Sequence, residues 1–179
     1  MREPSDPTSP APEDTCYIRS TIDDHGRAAC LLQWGPVTSL LTPTIVITTG
    51  RHLMAAATTA ETDIALIESL RADLRLPDDV LASVLAAIRE RRPAPEGRAA
   101  LRIAAVAGAK TGKPLVHIAR GSMTGQLDPD QARAMATQWL QTATAAHIDI
   151  RLRYALGEWG HLDPTQIERL FTIVQGLDR

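Results

Sequence analysis

Aromatic side chains are scarce in this chain: three Trp, two Tyr and one Phe among 179 residues. The interior must therefore be built from Ala, Leu, Ile and Val, which fill space by close backbone approach rather than by bulk. Lysine is almost missing, with only Lys110 and Lys113, and the net charge is -2. That balance excludes a protein whose entire surface is a nucleic-acid footprint. No apolar run reaches the roughly 18 residues of a membrane span. No apolar stretch follows the first charges as a signal peptide would, so a cytoplasmic protein without membrane contact is expected. Cys16 and Cys30 are the only cysteines. They fall on two neighbouring predicted strands, and in a reducing compartment they are expected as free thiols.

Motifs for chemistry are equally thin. Gly108 to Lys113 carries glycines and lysines as a phosphate-binding loop does, but too few residues separate the glycines, and Pro114 stands where Ser or Thr should. A strand is expected to follow, whereas a phosphate site needs a helix N-terminus, so the segment reads as a hairpin turn. Glu158 and His161 have the spacing of a metal-bridging pair, yet no second such pair occurs and Gly157 and Gly160 mark a helix end. His25, His52, His117 and His147 show no ligand pairing four residues apart. No Ser/His/Asp or Cys/His spacing offers a nucleophile. The expectation is a non-enzymatic protein with no catalytic residue, no cofactor and no metal.

What the chain does have is repetition. Leu41, Pro43, Ala57, Thr58, Ala60, Asp63, Ile64, Leu66, Leu70 and Leu76 recur as identical residues 86 positions later, from Leu127 to Leu162, without a gap. Two units of about 80 residues follow, each marginal alone and therefore expected to share a core. The expected organisation is a disordered Pro-rich tail over 1–13, a first unit over 14–92, a linker over 93–97 and a second unit over 98–179. The first unit is slightly acidic and the second slightly basic.

Within the first unit, Cys16 to Ile22 and Ala28 to Trp34 flank the turn-forming Asp23-Asp24-His25-Gly26 and predict a hairpin. Leu101 to Ala107 and Leu115 to Arg120 match it in the second. Val37 to Leu41 and Met123 to Leu127 are each either a third strand or a connector. Thr42-Pro43 and Asp128-Pro129 read as helix starts, and Gln131 completes a capping box. Two shorter helices should begin at Pro77 and at Asp163-Pro164. They are expected to bury Val80, Leu81, Val84, Leu85 and Ile88 in one, and Ile167, Leu170, Phe171, Val174 and Leu177 in the other. The fold class is thus α+β, a tandem duplication of a hairpin or three-strand meander followed by a long and a short helix, packed as a pseudo-two-fold pair.

Leu53, Ala57, Ala60 and Ile64 form one apolar stripe and Trp139, Ala143, Ala146 and Ile150 the other. Small central residues predict that the two long helices meet along these stripes. Asp63 and Asp149 sit beside them and need partners, for which Arg71, Arg151, Arg153 or a backbone amide are candidates. Arg89, Arg91 and Arg92 read as dipole-compensating charges on a solvated helix end. Trp34, Trp139 and Trp159 either fill the core or anchor a partner from a rim.

The functional expectation is a protein-interaction or regulatory module, partnering another protein or itself, as a monomeric pseudo-dimer or a homodimer. The alternative is a nucleic-acid-binding regulator acting through the basic hairpin of Arg102, Lys110, Lys113 and Arg120.

Overall fold

The computed structural model describes residues 15–107, 113–158 and 162–177. The tail, the turn at 108–112 with Lys110, and Trp159 with His161 lie outside the described residues. The elements are β1 (Cys16–Ile22), β2 (Ala28–Trp34), β3 (Val37–Leu41), α1 (Pro43–Leu74), α2 (Asp78–Arg91), β4 (Arg102–Ala107), β5 (Pro114–Arg120), β6 (Met123–Leu127), α3 (Pro129–Glu158) and α4 (Pro164–Leu177). The strands form two antiparallel three-stranded sheets, in the orders β1-β2-β3 and β4-β5-β6. The fold is α+β, and both uncertain connectors are strands.

Local chemistry accounts for the turns. Asp23 closes the β1-β2 hairpin, its carboxylate accepting the amides of His25 at 2.9 Å and Arg27 at 2.8 Å. Those bonds, the Arg27 amide foremost, hold its pKa below the ordinary carboxylate value. Gly35 and Gly121 turn the chain into β3 and β6 with φ of 53° and 57°, a region that glycine enters without steric cost. Cys16 pairs across the ladder with Trp34 and Cys30 with Ser20, so the two thiols stand well apart along the sheet and are free. Burial pushes the Cys16 thiol up to about 12, against an opposing pull from Arg120, and the Cys30 thiol up to about 11.

Of the four helices described, α1, α3 and α4 begin where a side chain satisfies a free amide, whereas α2 starts after Pro77 with no side-chain cap. The Thr42 hydroxyl accepts from the Ile45 amide. Asp128 and Gln131 form a reciprocal capping box at 2.8 and 3.0 Å, and Asp163 with Gln166 form another at 2.9 and 3.1 Å. In α1 the residues Val46, Gly50, Leu53, Ala57 and Ala60 are buried, and in α3 Ala132, Ala136, Trp139, Ala143 and Ala146 are buried. Both series alternate steps of four and three, one helical face each.

The two long helices pack on each other. A Cβ on Gly50 would stand 3.1 Å from the Ala136 carbonyl, tighter than ordinary contact, so glycine lets the two backbones approach closely here. Arg133 pairs with Glu61, which puts a later residue of α1 against an earlier one of α3; the helices run antiparallel. Neither lies mainly on the sheet that precedes it: α1 packs chiefly on β4 and β5, and α3 on β1 and β2. The core is correspondingly one cluster that joins Ile18, Leu32 and Trp34 to Val116, Ile118 and Trp139.

The short helices are covered less than their sequence pattern suggests. In α2 Leu81 and Leu85 are buried while Val80 is exposed; in α4 Ile167 and Phe171 are buried while Leu170 and Val174 are exposed. Among the described residues each short helix packs chiefly against one long helix, α2 on α1 and α4 on α3, and one main neighbour covers only a narrow line of a helix surface.

Candidate functional site

The expected helix-helix residues mostly lie inside. Leu53, Ala57, Ala60, Trp139, Ala143 and Ala146 are buried, whereas Ile64 and Ile150, farther along the helices, are only half-buried. Trp34 and Trp139 are both core residues, which removes them as rim anchors.

Asp63 and Asp149 have different surroundings. Asp63 is wholly buried, and its carboxylate accepts from Arg89 Nε at 2.8 Å and from Arg92 Nη2. Asp149 is half-buried and accepts from the Ser20 hydroxyl at 3.3 Å. None of the arginines expected as partners is used: Arg71 binds Asp78 at 2.8 Å, and Arg153 pairs with Glu168 while its guanidinium lies 4.0 Å over the Phe171 ring. Arg89 and Arg92 do not simply project from a solvated helix end. They fold back onto α1 because a buried carboxylate needs compensating charge. Sequence carried one clue, since the positions 86 residues beyond Arg89 and Arg92 hold Gln175 and Asp178; the cation pair occurs once.

Beside this cluster a cavity of about 630 Å³ opens between α1, the connector that follows α2, and β4, lined by Thr59, Arg89 and Arg92 among others. Arg89 Nη2 and Arg92 Nη1 are buried and have no hydrogen-bond partner. On its wall His52 donates Nε2–H to the Glu96 carbonyl at 2.8 Å, tying the connector to α1. Among the described residues no cluster of His, Cys, Asp and Glu has the makings of a metal site, and no helix is long and apolar enough to cross a membrane.

Of the basic hairpin, Arg102 and Lys113 are exposed. Arg120 is spent internally: it donates to the Ala100 carbonyl and, at 2.9 Å, to the Ser39 hydroxyl, bridging β5 to β3 of the other sheet. It is not displayed for phosphate contact, a correction that follows from the half-buried place it takes between sheets.

Large apolar side chains remain exposed on the later part of α3 and on α4, namely Ile148, Leu152, Tyr154, Leu170, Ile173 and Val174. Helical spacing puts Ile148, Arg151 and Leu152 on one face of α3, and Leu170, Ile173 and Val174 on one face of α4 with Arg169 beside them. Sequence patterning flagged Leu170 and Val174 as apolar but not as uncovered. No family model, no curated protein and no solved structure matches this chain.

Proposed function

We propose that this chain is a non-enzymatic protein-interaction module, a duplicated β-β-β-α-α unit whose α3–α4 face receives an acidic amphipathic helix of another protein. The observation that carries the reading is the set of exposed apolar residues on these two helices, Ile148, Leu152, Leu170, Ile173 and Val174. Uncovered apolar residues gathered on two adjoining helices have the character of a partner site rather than of ordinary surface. Arg151 and Arg169 stand beside them in the sequence. Charge complementarity therefore favours an acidic helix as occupant.

Duplication explains why there is one such module rather than two domains. The identities 86 positions apart accompany the same order of elements. Gly50 lies against Ala136, the residue 86 positions later, and a residue facing its own counterpart is what a two-fold pairing sets near its axis.

The test is a titration of the full chain with two fluorescent helical peptides, identical in their Leu face and carrying Glu or Lys on the polar face, alongside mass in solution. The expected result is a monomer that binds the Glu peptide, more weakly as salt rises, and loses it in Leu152→Glu with Ile173→Glu. Equal binding of both peptides, or of neither, overturns the reading. A mass that rises with concentration and falls back in the double variant makes a second copy the occupant instead.

A further inference from the structure

We infer that the cavity between α1, the connector after α2, and β4 is a binding site for a small neutral molecule with an apolar body and one polar oxygen, an alcohol or phenol in chemical class. The inference is independent of the α3–α4 face. The connector is pinned to α1 at two points: Arg89 and Arg92 tie the end of α2 to Asp63, and the Glu96 carbonyl is tied to His52, farther back on the same helix. Between those anchors the connector runs as Pro93-Ala94-Pro95, and the facing stripe of α1 is Ala55, Ala56 and Thr59, side chains too short to close the gap. At about 630 Å³ the space that remains is of ligand size.

The wall selects the ligand. Ala55, Ala56, Pro93, Pro95, Ile103 and Ala105 make it largely apolar. Its charges cancel, since Arg89 and Arg92 are matched by Asp63, to which both are bonded, and by Glu96. An ion entering there would give up its hydration for an apolar wall with no spare counter-charge, so a neutral ligand is favoured. Thr59 supplies the polar contact. Thr58 and Thr62 return their hydroxyls to the carbonyls four residues earlier, at 3.2 and 2.8 Å, whereas among the described residues the Thr59 hydroxyl has no hydrogen-bond partner. It is left to donate to, or accept from, one oxygen of a ligand.

Calorimetric titration of the full chain at neutral pH with 2-naphthol, naphthalene, 2-naphthoate and 2-naphthylmethylammonium tests this. The naphthol is expected to bind at least about tenfold more tightly than either ion. Thr59→Val should weaken the naphthol about fivefold and leave naphthalene unchanged. Ala55→Trp, a change at an exposed position in the wall, is expected to abolish binding without lowering the melting temperature; should that variant fail to fold, Thr59→Val and the probe series still decide. Leu152→Glu with Ile173→Glu should leave binding intact, which separates the cavity from the α3–α4 face. No saturable binding of the naphthol, an ion bound as tightly, naphthol binding indifferent to Thr59→Val or to a folded Ala55→Trp, or binding lost in the α3–α4 double variant each overturns the inference.

Discussion

The hydroxyl of Thr49 accepts the amide of Ala100 at 2.7 Å while donating to the Ile45 carbonyl at 2.7 Å, so one wholly buried oxygen in α1 fixes the entry to the second sheet. Thr49→Val keeps the shape and strands the Ala100 amide. It is expected to cost about 1–3 kcal/mol in urea denaturation, whereas Thr49→Ser, which retains the oxygen, should cost no more than about 1 kcal/mol for the lost methyl.

The Asp63 cluster gives an ordered series. Arg89→Ala alone leaves the buried carboxylate with Arg92 and is expected to cost about 1 kcal/mol, since Arg89 is itself partly exposed. Arg89→Ala with Arg92→Ala leaves a buried charge unpaired, and the cost should rise to about 3–5 kcal/mol. Urea midpoints of the two single variants and the double variant check the expected non-additivity.

Close approach of the long helices makes Gly50 sensitive. Alanine is the better helix former by about 1 kcal/mol, yet a Cβ here meets the Ala136 carbonyl and the Leu140 Cγ, both at 3.1 Å. A carbonyl within a helix yields little, so Gly50→Ala is expected to be destabilising by about 1 kcal/mol and Gly50→Val by more. Thermal melts of both variants read the sign.

The cysteines set an alkaline limit. Both thiols titrate well above the ordinary value of 9.0, at about 12 for Cys16 and about 11 for Cys30. A pKa raised on folding contributes stability that is fully present below pH 9 and is lost as pH climbs through 11 and 12. Urea midpoints should therefore fall over that window, and less steeply in Cys16→Ser with Cys30→Ala. At pH 8 a thiol-specific disulfide reagent should modify native Cys30 about 100-fold more slowly than the unfolded chain.

Much of the fold is legible where its causes are local. Thr42, Asp128 and Asp163 announce helix starts because their own oxygens make the caps, and Asp23 with Gly26 announces the first hairpin. The exchange of sheets is not legible: a stripe of Ala, Leu and Trp says that a face will be buried, not which sheet will bury it. Arg89 and Arg92 are misread for the same reason. An arginine near a helix end looks alike in sequence whether it meets water or reaches back to Asp63, 26 residues earlier for Arg89. The exposure of Leu170 and Val174 depends on α4 packing chiefly on α3 among the described residues, which no local pattern encodes.

That α1 covers the sheet of β4 and β5, and α3 the sheet of β1 and β2, makes each half of the chain incomplete without the other. Expressing residues 1–95 and 96–179 separately and together, with proton-nitrogen NMR spectra and mass in solution, tests this most directly. Each half alone is expected to lack a dispersed spectrum, and the two together to form a one-to-one complex with the spectrum of the intact chain. Either half folding cooperatively as a monomer by itself would contradict the account.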